Sequence, residues 1–311
     1  MTTQLAPAAT AAVSSASAKR RKQQLAPYVF VLPFFVVFVA MLVVPLGYAA
    51  WISLFRSRLI GGRVFVRLDN YVSALTDPDF LEGLRRVGLI LLVQVPIMLG
   101  LALVFALVLD SGRARGTRAL RLLIFLPYAV PGVVATLMWG YLYGRDFGPI
   151  AQAFRAVGLA EPNFFSEQNM LGAIMNVITW SFVGYNMVIM YSALRVIPHE
   201  LYEAAEIDGA SQLRIAWSIK IPSIRSAILL TLIFSIIGSF QIFNEPKLFD
   251  ALAPTVIDTS YTPNYYAYNL AFVNQDVSYA ATVAFLLGIV IAVVSYVVQL
   301  STQRRERRSD A

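Results

Sequence analysis

The sequence has no cysteine, one histidine (His199), and charge on only 14% of its 311 residues. Without cysteine there can be no disulfide framework and no thiolate metal site, and either redox compartment suits the chain. A lone histidine with no carboxylate cluster at ligand spacing leaves metal chemistry and an intramembrane enzyme without candidate catalysts. No G-x-x-x-x-G-K-[ST] phosphate loop occurs, so this chain is not expected to bind ATP in the usual way. No internal repeat at a period of about 20–50 residues is visible, and no soluble domain stands out.

A soluble domain of this length carries roughly 25% charged residues, and the deficit here is concentrated. Six windows hold no Asp, Glu, Lys, Arg or His: 23–55, 87–109, 122–144, 168–194, 226–244 and 277–303. A helix needs about 20 apolar residues to cross the ~30 Å hydrocarbon layer. The windows therefore predict an all-α polytopic membrane protein, with a transmembrane domain over 26–303. Its six transmembrane helices fall at about 27–55, 87–109, 122–144, 171–194, 226–244 and 278–301. The basic run Lys19–Arg20–Arg21–Lys22 precedes an apolar stretch far longer than the core of a secretory signal, about 7–15 residues, so the first helix reads as a retained anchor. Residues 1–25, with the low-complexity run TAAVSSASA, read as a disordered tail, and 304–311 as a second tail.

The net charge of +7 does not point to nucleic acid, because most of the basic residues flank spans, where they set topology. Placing both termini in the cytoplasm puts inside Lys19–Lys22, Arg113, Arg115, Arg118, Arg121, Arg195, Arg214, Lys220, Arg225, Arg304, Arg305, Arg307 and Arg308. The first outer loop strains the rule with Arg56, Arg58, Arg63, Arg67, Arg85 and Arg86. The balance still predicts a multi-pass membrane protein with both termini cytoplasmic. Prolines punctuate the helices at Pro33, Pro45, Pro96, Pro127 and Pro131, and the last two, four residues apart, are the hinge candidates.

The inner loop between the fourth and fifth spans is longer and more patterned than a connection requires. From His199 it reads HELYEAAEIDGASQLRIAWSIKIPSI. Leu201, Ala204, Ala205 and Ile207 form one face of a short helix, with Glu200, Glu203 and Glu206 between them near its N-terminus, where negative charge is favoured. Gly209 permits a sharp turn or a positive φ. A second amphipathic stretch runs from Ser211 through Leu213, Ile215, Trp217 and Ile219 to Pro222. Such a helix–turn–helix under a bundle suits docking of a cytosolic partner; the plainer reading is an interfacial amphipathic helix.

At these residues the chain resembles the permease subunits of type I ABC importers. Their signature is E-A-A, two residues, D-G-A, then an aromatic, an Ile and a Pro. Glu203, Ala204, Ala205, Asp208, Gly209, Ala210, Trp217, Ile219 and Pro222 fill it in order, with Trp where the family usually has Phe. The run FVRLDNY at 65–71, Asp77-Pro78-Asp79-Phe80 and Phe125-Leu126-Pro127 look like the sugar class of that family, the maltose and glycerol-phosphate type. The resemblance implies the type I importer permease fold, with 199–222 as a cytoplasmic coupling loop seated in a groove of a separate ATPase dimer. Glu203 would pair with a basic residue there, and Gly209 would give the bend. It also implies a second permease subunit, an extracellular solute-binding protein and a lipid surround. ATP and Mg would sit on the ATPase, this chain binding no cofactor and hydrolysing nothing.

A sugar needs hydrogen-bonding groups and aromatic faces without fixed charge. Trp180, Ser181, Gly184 and Tyr185 share one side of the fourth helix, and Ser235, Gly238 and Ser239 one side of the fifth. Helix packing explains the small residues equally well, and Trp180 also suits a core position. Gln241, Asn244 and Glu245 end the fifth helix at the outer face, where they either receive sugar from a binding protein or, the plainer reading, cap the helix in water; the run Tyr261–Tyr268 reads as boundary aromatics, and Arg304–Arg308 as a topology anchor. The alternative function, an autonomous secondary transporter or channel, is disfavoured because coupled carriers place ionisable groups inside their spans.

Overall fold

The computed structural model describes residues 28–58, 61–111 and 116–309, with side chains up to residue 302. The tail 1–25 with Lys19–Lys22, and Arg113 and Arg115, lie outside the described residues. Helix α1 (Tyr28–Ile52) leads into a hairpin of β1 (Phe55–Arg58) and β2 (Gly62–Phe65), then α2 (Asp69–Leu75) and α3 (Pro78–Asp110). After α3 come α4 (Thr117–Ala129), α5 (Gly132–Tyr143), α6 (Pro149–Ala156) and α7 (Glu167–Leu194). A helix–turn–helix of α8 (Glu200–Ile207) and α9 (212–223) joins α7 to α10 (Arg225–Phe240). The chain ends with α11 (Asn244–Asp250), α12 (263–273) and α13 (Val277–Ser309). Among the described residues, five stretches are long and apolar enough to cross a membrane, or six if the bent pair α4–α5 is one span.

The described helices depart from the sequence-derived spans in physically readable ways. The helix expected at 122–144 begins at Thr117 and is broken into α4 and α5, bent by 96° to one another. Val130 is extended (φ −77°, ψ 127°) because the ring of Pro131 disfavours helical geometry in the residue before it. The second helix starts at Pro78 rather than near 87, since Asp77 caps it, accepting from the Asp79 amide at 3.0 Å, and proline is pre-shaped for the first helical turn. Charged residues over 79–86 hide that beginning from a search for charge-free windows. The fifth helix, expected over 226–244, stops at Phe240 and resumes as α11. The last continues to Ser309 with no boundary at 301, so residues 304–309 extend the helix.

Prolines inside the other helices leave a different mark. Widened π turns at Val39–Val43, Ile90–Gln94 and Ala216–Lys220 end two residues before Pro45, Pro96 and Pro222. Proline lacks the amide for an i→i−4 bond, and an extra residue in the preceding turn absorbs the mismatch.

The centre of the bundle is the α3–α7 pair. Val95, Met98, Leu99, Ala102, Ala106 and Leu109 recur at three- and four-residue steps along α3 and bury against Met187, Met190 and Leu194 of α7. Small Ala102 and Ala106 let the backbones approach, as at membrane helix contacts. Gly184 does the same where α7 crosses α4: a Cβ there would lie 2.0 Å from the Ile124 carbonyl oxygen. At the opposite end from α8 and α9, Asp77 accepts from Tyr266 and Tyr279 hydroxyls at 2.8 and 2.7 Å, tying α3 to α12 and α13. By contrast α1 buries nothing within its most apolar window. Its Phe30, Phe34, Met41 and Leu46 are exposed, and so large an apolar face requires lipid or a protein partner.

Candidate functional site

A cavity of about 390 Å³ opens between α3, α4, α7, α10 and the break that follows α10. Its wall includes Gln94 and Met98 of α3, Tyr128 of α4, Ile178, Phe182, Tyr185 and Asn186 of α7, and Phe234, Ser235, Gly238 and Ser239 of α10. Residues 241–245 complete it. The break and the bend create this space. The helical path of α10 ends at Phe240, and the following residues fold over the hollow that the α4–α5 bend leaves.

The wall mixes aromatic faces with hydrogen-bonding groups. The rings of Tyr128 and Tyr185 stack at 4.7 Å, and Phe182 meets Tyr128 edge-on at 5.8 Å. Ser235 and Ser239 donate their hydroxyl protons to the Thr231 and Ser235 carbonyls at 2.8 Å, which leaves the oxygens as acceptors. Gln94 donates to the Thr179 hydroxyl at 3.2 Å, and Asn186 to the Phe182 carbonyl at 3.0 Å. The other amide atom of each, Gln94 Oε1 and Asn186 Oδ1, is buried without a hydrogen-bond partner. An orphaned buried acceptor costs about 1–3 kcal/mol, and both belong to side chains of the cavity wall. Among the described residues, Glu245 is the one carboxylate side chain in the wall, which holds no Lys or Arg.

Of the sequence-derived pathway residues, the structure brings Tyr185, Ser235 and Ser239 to this cavity together with Gly238. Trp180 and Ser181 do not line it; Trp180 packs edge-on against Trp139 at 5.8 Å. Gly184 faces the α4 backbone instead. Gln241, Asn244 and Glu245, read from sequence as a water-capped helix end, belong to the cavity wall. Gln94, Met98, Tyr128 and Asn186 were missed. The available signal for two of them was an amide side chain within a charge-free apolar window, which membranes tolerate only with a partner or a function.

The loop joining α7 to α10 is a compact helix–turn–helix. Glu200 and Glu203 occupy the first turn of α8, where the helix dipole favours anions, and Glu203 meets His199 Nδ1 at 3.3 Å. The Ala210 amide reaches back to the Ala205 carbonyl at 2.9 Å and Gly209 to Glu206 at 3.0 Å, a Schellman ending that needs the positive φ of +78° at Gly209. Ser211 then caps α9, accepting from the Arg214 amide at 3.3 Å, and Gln212 hydrogen-bonds Glu206 across the turn. Asp208 and Ala210 flank the turn, while Ala204 and Ala205 lie in α8 and Ile219 and Pro222 in α9. Ile215 packs inward. Ile207, Leu213 and Trp217 point away from the chain, 87%, 70% and 66% exposed.

Residues 98–309 match the family described as binding-protein-dependent transport system inner membrane component. The chain is 29% identical over 299 residues to the lactose transport system permease protein of Rhizobium radiobacter, covering 95% of this chain and all of that one. It is 32% identical over 247 residues to the diacetylchitobiose uptake system permease protein of Streptomyces coelicolor, covering 75% and 68%. Its fold is shared with a chain of a bacterial ABC transporter involved in the import of the acidic polysaccharide alginate (TM-score 0.79, 17% identity, 92% and 98% covered). With more than half its length matched, the chain belongs to the binding-protein-dependent transport system inner membrane components, the membrane permeases of ABC importers.

Proposed function

We propose that this chain forms half of a translocation pathway for a sugar or short oligosaccharide. The solute would be delivered by an extracellular binding protein and driven inward by a separate ATPase dimer, which carries ATP and Mg. A second permease would supply the other half of the path. Both termini would lie in the cytoplasm, and lipid would cover the remaining apolar surface.

The observation that carries the reading is a connection. The helix–turn–helix with its outward Ile207, Leu213 and Trp217 is continuous with α7 and α10, and those two helices wall the cavity. An apolar knob so exposed needs a covering partner. Force applied there reaches both helices through the backbone. ATP would favour one state of the ATPase dimer, and a loop docked on it would pass that preference to the cavity. In that scheme Glu203 would pair with a basic group of the ATPase, with Ala204, Ala205, Asp208, Gly209, Ala210, Trp217, Ile219 and Pro222 shaping the docked surface.

Carbohydrate as the solute rests on the cavity chemistry: stacked tyrosine faces beside amide and hydroxyl acceptors, with a single carboxylate. Curated relatives named for lactose, diacetylchitobiose and arabinooligosaccharides support the same class. The test is to co-express the tagged chain with its neighbouring genes, purify it, and measure uptake of labelled oligosaccharides into liposomes. Recovery of an ATPase and ATP-dependent uptake are expected. Uptake by the isolated chain without ATP would overturn the proposal in favour of an autonomous transporter.

A further inference from the structure

The sequence counts Lys220 among the basic residues that set topology, yet its side chain is 7% exposed and its ammonium lies 2.5 Å from the carboxylate of Asp110, itself 4% exposed. Asp110 is the last residue of α3, 110 positions away in the chain. The Lys220 ammonium also sits 4.6 Å above the ring of Tyr202 in α8. Lys220 closes the π turn before Pro222. One buried node thus joins α8, α9 and the end of α3.

The placement matters because of what the chain leaves unconnected. Helices α7 and α10 run directly into the α8–α9 loop, but α3 does not. Gln94 and Met98 nevertheless supply one wall of the cavity from α3, with Gln94 about 24 Å from Asp110 along the helix at 1.5 Å per residue. A buried ion pair adds little net stability over an apolar pair of the same size, while it holds one geometry and tolerates loss of a single partner poorly. The pair is therefore better suited to fixing register between the loop and α3 than to holding the bundle together.

We propose that the Asp110–Lys220 ion pair, packed on Tyr202, is the joint through which the α8–α9 loop moves α3, so that the Gln94–Met98 wall follows the ATPase together with α7 and α10. This rests on reading the loop as an ATPase dock. Tyr202 is a positioning residue in the joint, its ring holding Lys220 on the Asp110 side.

The absence of cysteine gives a direct test in the purified complex with its ATPase and sister permease. Single reporters, Gln94→Cys on α3 and Ser235→Cys on α10, are labelled on this chain with a maleimide, with and without ATP and vanadate. In the otherwise unchanged chain both reporters are expected to change labelling rate by about tenfold with nucleotide. With Lys220→Met the Gln94→Cys response should collapse to within about twofold while the Ser235→Cys response persists, and the swap Asp110→Lys with Lys220→Asp should restore the first, as a re-formed ion pair would. A pair serving the fold alone would change the amount of complex and leave both responses intact. An unresponsive Gln94→Cys in the parent complex, an undiminished response with Lys220→Met, or failure of both single and swapped variants to assemble would each overturn the proposal. Failure of the parent chain to purify with any ATPase would instead overturn the docking reading on which it rests.

Discussion

Tyr185 of α7 stacks on Tyr128 of α4, ring centroids 4.7 Å apart and planes 22° from parallel, at the point where the bent α4–α5 pair faces the cavity. The two rings form an aromatic surface of the kind on which a sugar ring packs, and they also brace the bend. Replacing Tyr185 with alanine removes a contact worth about 0.5–1.5 kcal/mol. Half-saturation for uptake should rise several-fold, with unchanged recovery of the assembled complex. Kinetics identical to wild type would remove Tyr185 from the path.

The close crossing of α7 over α4 gives a stability prediction separate from transport. A methyl at Gly184 meets the Ile124 carbonyl at 2.0 Å and the Phe125 Cα at 2.8 Å, both backbone atoms. Gly184→Ala must push the two helices apart, costing about 1–3 kcal/mol as overpacking does. A lowered unfolding temperature of the solubilised protein is the check, and an unchanged one would contradict the crossing geometry.

Much of the architecture was legible because lipid imposes a simple rule: charge is excluded over the length of a span. Each of the six charge-free windows accordingly overlaps a helical segment of the described residues, and the positive φ at Gly209 was readable from one glycine after a helical pattern. Local composition carries no comparable signal for direction. Pro127 and Pro131 marked a hinge candidate, but only Val130 turned out of helical geometry reveals a 96° bend. The cavity wall depends on that bend and on the end of α10 at Phe240, so Gln94, Asn186 and Tyr128 could not be assigned to it from spacing. The Asp110–Lys220 pair was hidden for another reason: its partners are 110 positions apart in sequence, and Lys220 read naturally as one of the basic residues that set topology.

The loop should be intolerant of two changes that leave membrane insertion intact. Proline at position 209 demands φ near −65° where the backbone holds +78°, so Gly209→Pro breaks the turn between α8 and α9. Glu203→Lys reverses the charge proposed to meet the ATPase and places a cation in the first turn of α8, where the dipole disfavours it. Loss of ATP-dependent uptake at normal membrane levels is expected of both, and normal uptake in either would count against the docking scheme.

Alkaline pH should weaken the region around α12. Burial first, and then donation to the Asp250 carboxylate at 2.8 Å, push the Tyr265 hydroxyl up to about 12 from an ordinary 10.0. A group whose folded pKa is raised contributes stability in full below its unfolded value and loses it as pH climbs through the folded one. Burial also raises Tyr261 and Tyr266. The unfolding temperature should therefore hold steady up to about pH 10 and fall towards pH 12. Tyr265→Phe should start lower and fall less steeply, which melting curves across that range will show.

The docking surface itself can be probed at one atom. Leu213→Cys places the only thiol of this chain on the exposed face of α9, and a short bifunctional maleimide applied to membranes containing the whole complex reports what lies against it. Cross-linking to the ATPase subunit is the result predicted here. Cross-linking to the solute-binding protein instead, or labelling of Leu213→Cys by an impermeant reagent from outside intact cells, would contradict the account.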